Sequence, residues 1–127
     1  VQYSSLNSVS LAFIGDAVYS LYIRKYYVER GYRQGKVLQD LCKRYVSASG
    51  QSKAYHRLLA KDFFNEKELE VYKGGRNNIK HIPRNGDRVS YETASGLEAV
   101  CGYLYLFDNT RLEEMMALIL EGGEENE

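Results

Sequence analysis

SLAFIGDAVYSLYIR, residues 10–24, reads as a buried helix that carries one misfit. Leu11, Phe13, Ile14, Ala17, Val18, Leu21 and Ile23 suit a core helix, and they occupy more than one stripe, so burial on several sides is expected. Asp16 does not suit it, and Gly15 beside it weakens a helix by about 1 kcal/mol relative to alanine. The positions one turn away are Ala12, Phe13, Tyr19 and Ser20, none of them basic, so no local ion pair is available. An isolated ionised carboxylate is too costly to bury. Asp16 must therefore reach solvent, find a distant partner, be protonated or bind a cation.

The same problem recurs in SGLEAVCGYLYL, residues 95–106, where Glu98 stands between Leu97 and Ala99 with Ala94, Ser95, Cys101 and Gly102 one turn away. Both stretches are rich in small residues: Ala12, Gly15 and Ala17 in one, Ser95, Gly96, Ala99 and Gly102 in the other. Two such helices can approach closely and bring Asp16 and Glu98 together. A pair of carboxylates suits a hard divalent ion, Mg²⁺ or Mn²⁺, that keeps part of its water shell.

Around these two helices the periodicity is helical throughout, and an all-α fold is expected. The first helix should run over about 7–29, stopped by Gly31, followed by helices near 36–46 and after Ser47 or Ser49. Asn65 and Glu68 form a capping box with Phe64 and Leu69 as its staple, and that helix should fade at Gly74–Gly75. RNNIKHIPRNGDRVS, residues 76–90, reads as a loop holding the only proline. The apolar pattern resumes at Tyr91 and continues to about Phe107. A second box at Thr110 and Glu113 opens a last helix that should end at Gly122–Gly123. Residues 1–121 are expected to form one domain, and 122–127 a disordered acidic tail.

Net charge is zero, so any anion-binding surface must be local. Cys42 and Cys101 lack zinc-like spacing and are expected to be buried, reduced thiols of a cytoplasmic protein. No membrane-spanning run and no signal-peptide pattern is present, so no membrane partner is expected.

FIGDAV at 13–18 resembles the signature helix of the ribonuclease III family, and LEAVCGYLYL at 97–106 resembles its second motif, with KGGRNN at 73–78 matching the segment that precedes it. LAFIGDAVYSLYIR, VSASGQSKAYHRLL and GRN are similar to the short Mini-III subgroup, in which no double-stranded-RNA-binding domain follows. The resemblance implies a helical endonuclease domain, a homodimer, and Mg²⁺-dependent hydrolysis of double-stranded RNA to 5′-phosphate and 3′-hydroxyl ends. It also implies a role in maturing precursor ribosomal RNA (23S), with a ribosomal protein as a possible presenter of the RNA. Asp16 and Glu98 fall on the family's metal-holding, catalytic acids. Ala12, Ser95 and Val9 stand where the wider family has further acids, which lowers the anionic ligand count. A catalytically silent RNA-binding or ribosome-associated homologue is the alternative. A helical phosphohydrolase of small nucleotides is disfavoured by the lack of an HD pair or EXXH motif.

RNA binding requires phosphate contacts. Lys73, Arg76, Lys80, Arg84 and Arg88, with His81, are the best local source, and Asn77 and Asn78 suit ribose 2′-hydroxyls. Lys43, Arg44, Ser47, Ser49 and Gln51 form a second candidate set at a helix junction.

Overall fold

The computed structural model describes residues 2, 5–78, 82, 84 and 86–125, with the side chains of 124 and 125 excepted. Six helices occur among the described residues: α1 Ser8–Glu29, α2 Gly35–Val46, α3 Ala48–Ala60, α4 Glu66–Asn77, α5 Arg88–Phe107 and α6 Asn109–Glu125. No strand occurs among the described residues. The fold is all-α, and among the described residues no helix is long and apolar enough to cross a membrane.

Helix starts follow local chemistry. Asn7 Oδ1 accepts from the Ser10 amide at 2.9 Å, and Ser47 Oγ accepts from the Gly50 amide at 3.0 Å, each satisfying an orphan donor. The Asn65–Glu68 capping box is complete, with both reciprocal bonds formed. Gly31 closes α1 at φ 95°, a left-handed conformation that a side chain disfavours.

Four boundaries differ from the sequence expectation. Helix α4 runs through Gly74 and Gly75 to Asn77, because these glycines serve packing: a Cβ on Gly75 would lie 2.6 Å from that of Ala99. Helix α5 begins at Arg88, since Asp87, the one acid of the supposed loop, caps it by accepting from the Val89 amide at 3.2 Å. Helix α6 begins at Asn109 with Asp108 accepting from the Arg111 amide at 3.2 Å, so Thr110 is not the cap. It also continues past Gly122 and Gly123, whose missing side chains make room for Arg57 and the Tyr45 ring.

Helices α1 and α5 form the central pair and share the most extensive helix–helix contact. A Cβ on Gly15 would overlap the Glu98 carbonyl, and one on Gly102 would overlap the Leu11 carbonyl, so the two backbones touch. Tyr19, Ile23, Leu97, Val100, Cys101 and Leu104 join Leu58, Leu112, Met115, Met116 and Ile119 in the core. Both cysteines are buried and free. The α1 expectation needs one correction, because Phe13 (82% exposed), Leu21 (62%) and Ala17 face outward rather than into the core.

Glu68 has a second role that its cap position did not announce. It is 1% exposed and receives Arg111 in a bidentate pair, Nε at 2.7 Å and Nη2 at 2.8 Å. Arg111 also donates to the Phe63 carbonyl and lies 3.9 Å from the centre of the Phe63 ring. The start of α6 is thereby pinned to the start of α4.

Both of these contacts can be tested through stability. Arg111→Met leaves Glu68 buried without its charge partner and should cost about 3–5 kcal/mol in urea denaturation. A loss under about 1 kcal/mol would mean that Glu68 finds another partner or is readily protonated. Gly15→Ala should cost at least the roughly 1–3 kcal/mol of an overpacked core, because the obstacle is helix backbone.

Candidate active site

The α1–α5 contact determines where the two misfit acids lie. Gly15 brings α1 against the backbone of Glu98 itself, and Asp16, the next residue, projects an exposed side chain beside that of half-buried Glu98. The two carboxyl groups are within hydrogen-bonding reach. Neither carboxylate has a salt-bridge partner among the described residues.

The third member of the site comes from α3. Gln51 is 4% exposed, and its Nε2 donates to the Val46 carbonyl at 3.1 Å and to Glu98 Oε2 at 3.3 Å. Both amide protons are thus engaged, which fixes the orientation of the amide and leaves Oε1 buried without a partner. Gly50 makes this placement possible, since a Cβ there would collide with the Arg44 carbonyl where α3 turns back on α2. Gln51 was expected as a surface contact to phosphate. The structure instead buries it and gives it to Glu98.

Asp16, Gln51, Tyr91, Ser95 and Glu98 line a cavity of about 310 Å³. Burial, then the hydrogen bond and charge of Asp16, push the Glu98 carboxyl up to about 8, while the Gln51 bond opposes this. Two carboxylates crowded without a cation behave in this way. Their hard oxygen donors would suit a divalent ion of the Mg²⁺ type. No cluster of three or more His, Cys, Asp or Glu side chains occurs among the described residues, so the chain offers two anionic donors there.

The expected RNA-contacting residues fall at the α4 and α5 ends that flank this cavity. Lys73, Arg76, Asn77 and Asn78 occupy the C-terminal end of α4, Arg84 is exposed in the connection, and Arg88 opens α5. Lys80 and His81 lie outside the described residues. Gly75 packs on Ser95 and Ala99, and Ser95 Oγ donates to the Gly75 carbonyl at 2.9 Å, so the basic end of α4 is held one helix away from Glu98. Four of the set have internal partners: Arg88 pairs with Glu92 at 2.6 Å, Arg76 Nε donates to Asn77 Oδ1 at 3.2 Å, and Asn78 Nδ2 donates to the Gly74 carbonyl at 2.6 Å.

The raised Glu98 value fixes a sign for stability. The folded protein retains a proton that the unfolded chain has released, so in cation-free protein the contribution of Glu98 to stability is full below the ordinary glutamate range and is lost as pH rises toward about 8. Glu98→Gln should flatten this decline when urea midpoints are compared at low and slightly alkaline pH. Parallel curves for the two proteins would contradict the assignment.

The family model for the ribonuclease III domain matches residues 9–109, a span that contains both carboxylates. The Mini-ribonuclease 3 of Enterococcus faecalis is 40% identical over 128 residues, covering 98% of this chain and 97% of its own. That of Streptococcus pneumoniae is 39% identical over 118 residues, covering 91% and 92%. A crystal structure of a Fusobacterium nucleatum protein superposes with a TM-score of 0.82 at 31% identity, covering 93% of this chain and 94% of that one. The chain belongs to the ribonuclease III family.

Proposed function

We propose that the chain is a Mg²⁺-dependent endoribonuclease that cuts double-stranded RNA, acting in the maturation of precursor 23S ribosomal RNA. The observation that carries this reading is the pairing of Asp16 with Glu98 across the α1–α5 contact, in a chain of this family. Mn²⁺ meets the same donor chemistry. A ribosomal protein that presents the RNA and a cytoplasmic setting complete the reading.

The residues divide the work. Asp16 and Glu98 would hold the divalent ion, which when bound supplies an activated water and neutralises charge on the scissile phosphate. Gln51 keeps the Glu98 carboxylate oriented through its bond to Oε2. Exposed Asp16 leaves the open side of the pair to the incoming phosphate. Lys73, Arg76, Lys80, Arg84 and Arg88 would draw in the backbone on either side, and Asn77 and Asn78 would meet 2′-hydroxyls.

A homodimer fits the outward face of α1. Val9, Phe13, Ala17, Leu21 and Val28 are exposed and lie within about 120° of arc at about 100° per residue. Asp16 borders this stripe, so a partner packed there would bring two carboxylate pairs to one groove. The reduced donor set, with Ala12 and Ser95 in place of acids, favours the silent RNA-binding homologue as the second reading.

Incubation with duplex RNA and Mg²⁺ separates these readings. The wild type should yield 5′-phosphate and 3′-hydroxyl ends, and Asp16→Asn and Glu98→Gln should each abolish cleavage while retaining helical circular dichroism. Binding without cutting under any divalent ion would establish the silent homologue. For the dimer, Phe13→Glu should shift the sedimentation mass from two chains to one. A monomeric wild type would remove the α1 interface.

A further inference from the structure

The first turns of α3 separate two cavities. Gln51 faces the carboxylate pair, while Gly50, Lys53 and Arg57, at helical spacing, line a second cavity of about 510 Å³ with Arg44, Ser47 and Ser49. Three of these six residues are cationic, and no described lining residue is acidic. Among the described residues neither Lys53 nor Arg57 meets a carboxylate within ion-pair distance.

The cavity is built rather than incidental. Arg57 Nη2 donates to the Ile119 carbonyl at 3.2 Å, and its Nε is buried against Gly122 without a hydrogen-bond partner, so the guanidinium is held by α6. Gly50 allows α3 to seat on the end of α2, which places Arg44 at the rim. Ser47 caps α3, whose positive helix end adds to the same field. In a chain of zero net charge, such a concentration selects a local anion.

We propose that this cavity is a phosphate subsite, in which Arg44, Lys53 and Arg57 hold the backbone of the duplex RNA at a position offset from the scissile phosphate. The proposal rests on the RNA reading above and extends it to residues outside the α4–α5 basic segment. The residues that line the two cavities interleave along the first turns of α3, with Lys53 two residues and Arg57 six residues from Gln51, about 3 Å and 9 Å of rise. One strand can therefore engage both. A guanidinium held by α6 and two exposed cationic side chains suit a phosphodiester, whose sequence-independent charge needs no base-specific group.

The test uses full-length protein carrying Asp16→Asn, so that RNA stays intact, with fluorescence anisotropy of a blunt duplex across a salt series. Lys53→Ala and the Arg44→Ala, Lys53→Ala pair should weaken binding and lower the salt slope by about one for each phosphate no longer neutralised. Lys53→Arg should restore both, which a purely structural role would not require. Lys67→Ala, on the exposed start of α4, serves as the control with no change expected. An unchanged slope in the double variant, with a lowered slope in Arg76→Ala, would overturn the subsite while leaving the RNA reading intact. Failure of the parent protein to bind duplex RNA would instead overturn the RNA reading. Inorganic phosphate bound in the cavity without competing with RNA would mark a free-anion site and also overturn the proposal.

Discussion

Backbone meets backbone where α1 crosses α5 at Gly15 and Gly102, and the remaining architecture depends on that contact. Both positions exclude even a methyl group, because the neighbouring atoms are helix carbonyls that cannot yield. The close approach buries Tyr19, Ile23, Leu97, Val100 and Cys101 in one core. It also carries Asp16 to Glu98, two carboxylates that neither helix can neutralise alone. The helix weakness that Gly15 introduces locally, about 1 kcal/mol, is small beside the packing it permits. Stability and site therefore share one structural cause.

Two buried or half-buried glutamates show opposite solutions to the same physical problem. Glu68 is satisfied: its carboxylate receives the Asn65 amide at 3.0 Å and a bidentate guanidinium from Arg111. Glu98 is left short, with an amide donor from Gln51 and a second carboxyl group beside it. The first arrangement locks α4 to α6. The second leaves two carboxyl groups crowded at an open cavity with too few internal donors, the condition that favours binding a cation over internal pairing.

How much of this the sequence disclosed depended on whether a residue's meaning was local. The Asn65–Glu68 box acts within one turn and marked its helix start, and Asn7 and Ser47 proved to be the caps among several candidates, but the equally local Thr110–Glu113 box gave way to Asp108. Glycines did not, because a glycine that ends a helix and one that admits a neighbour look alike in one dimension. Gly31 is of the first kind, whereas Gly74, Gly75, Gly122 and Gly123 are of the second. Asp16 and Glu98 were legible as acids out of place, and the small residues around them, Gly15 and Gly102 included, pointed to the close approach that pairs them. Gln51 was not, since its partner is 47 positions away and nothing near it announces a carboxylate. Nor could periodicity tell that Phe13 and Leu21 face outward, because an apolar stripe reads the same toward a core and toward solvent.

The central claim is that the α1–α5 contact creates a two-carboxylate cation site in the protein alone, before any RNA is present. Titration of RNA-free protein with Mn²⁺, followed by electron paramagnetic resonance of the free ion, tests it most directly. Saturable binding is expected in the wild type, weakened by more than roughly tenfold in both Asp16→Asn and Glu98→Gln. Equal Mn²⁺ affinity in the wild type and both folded variants would contradict it.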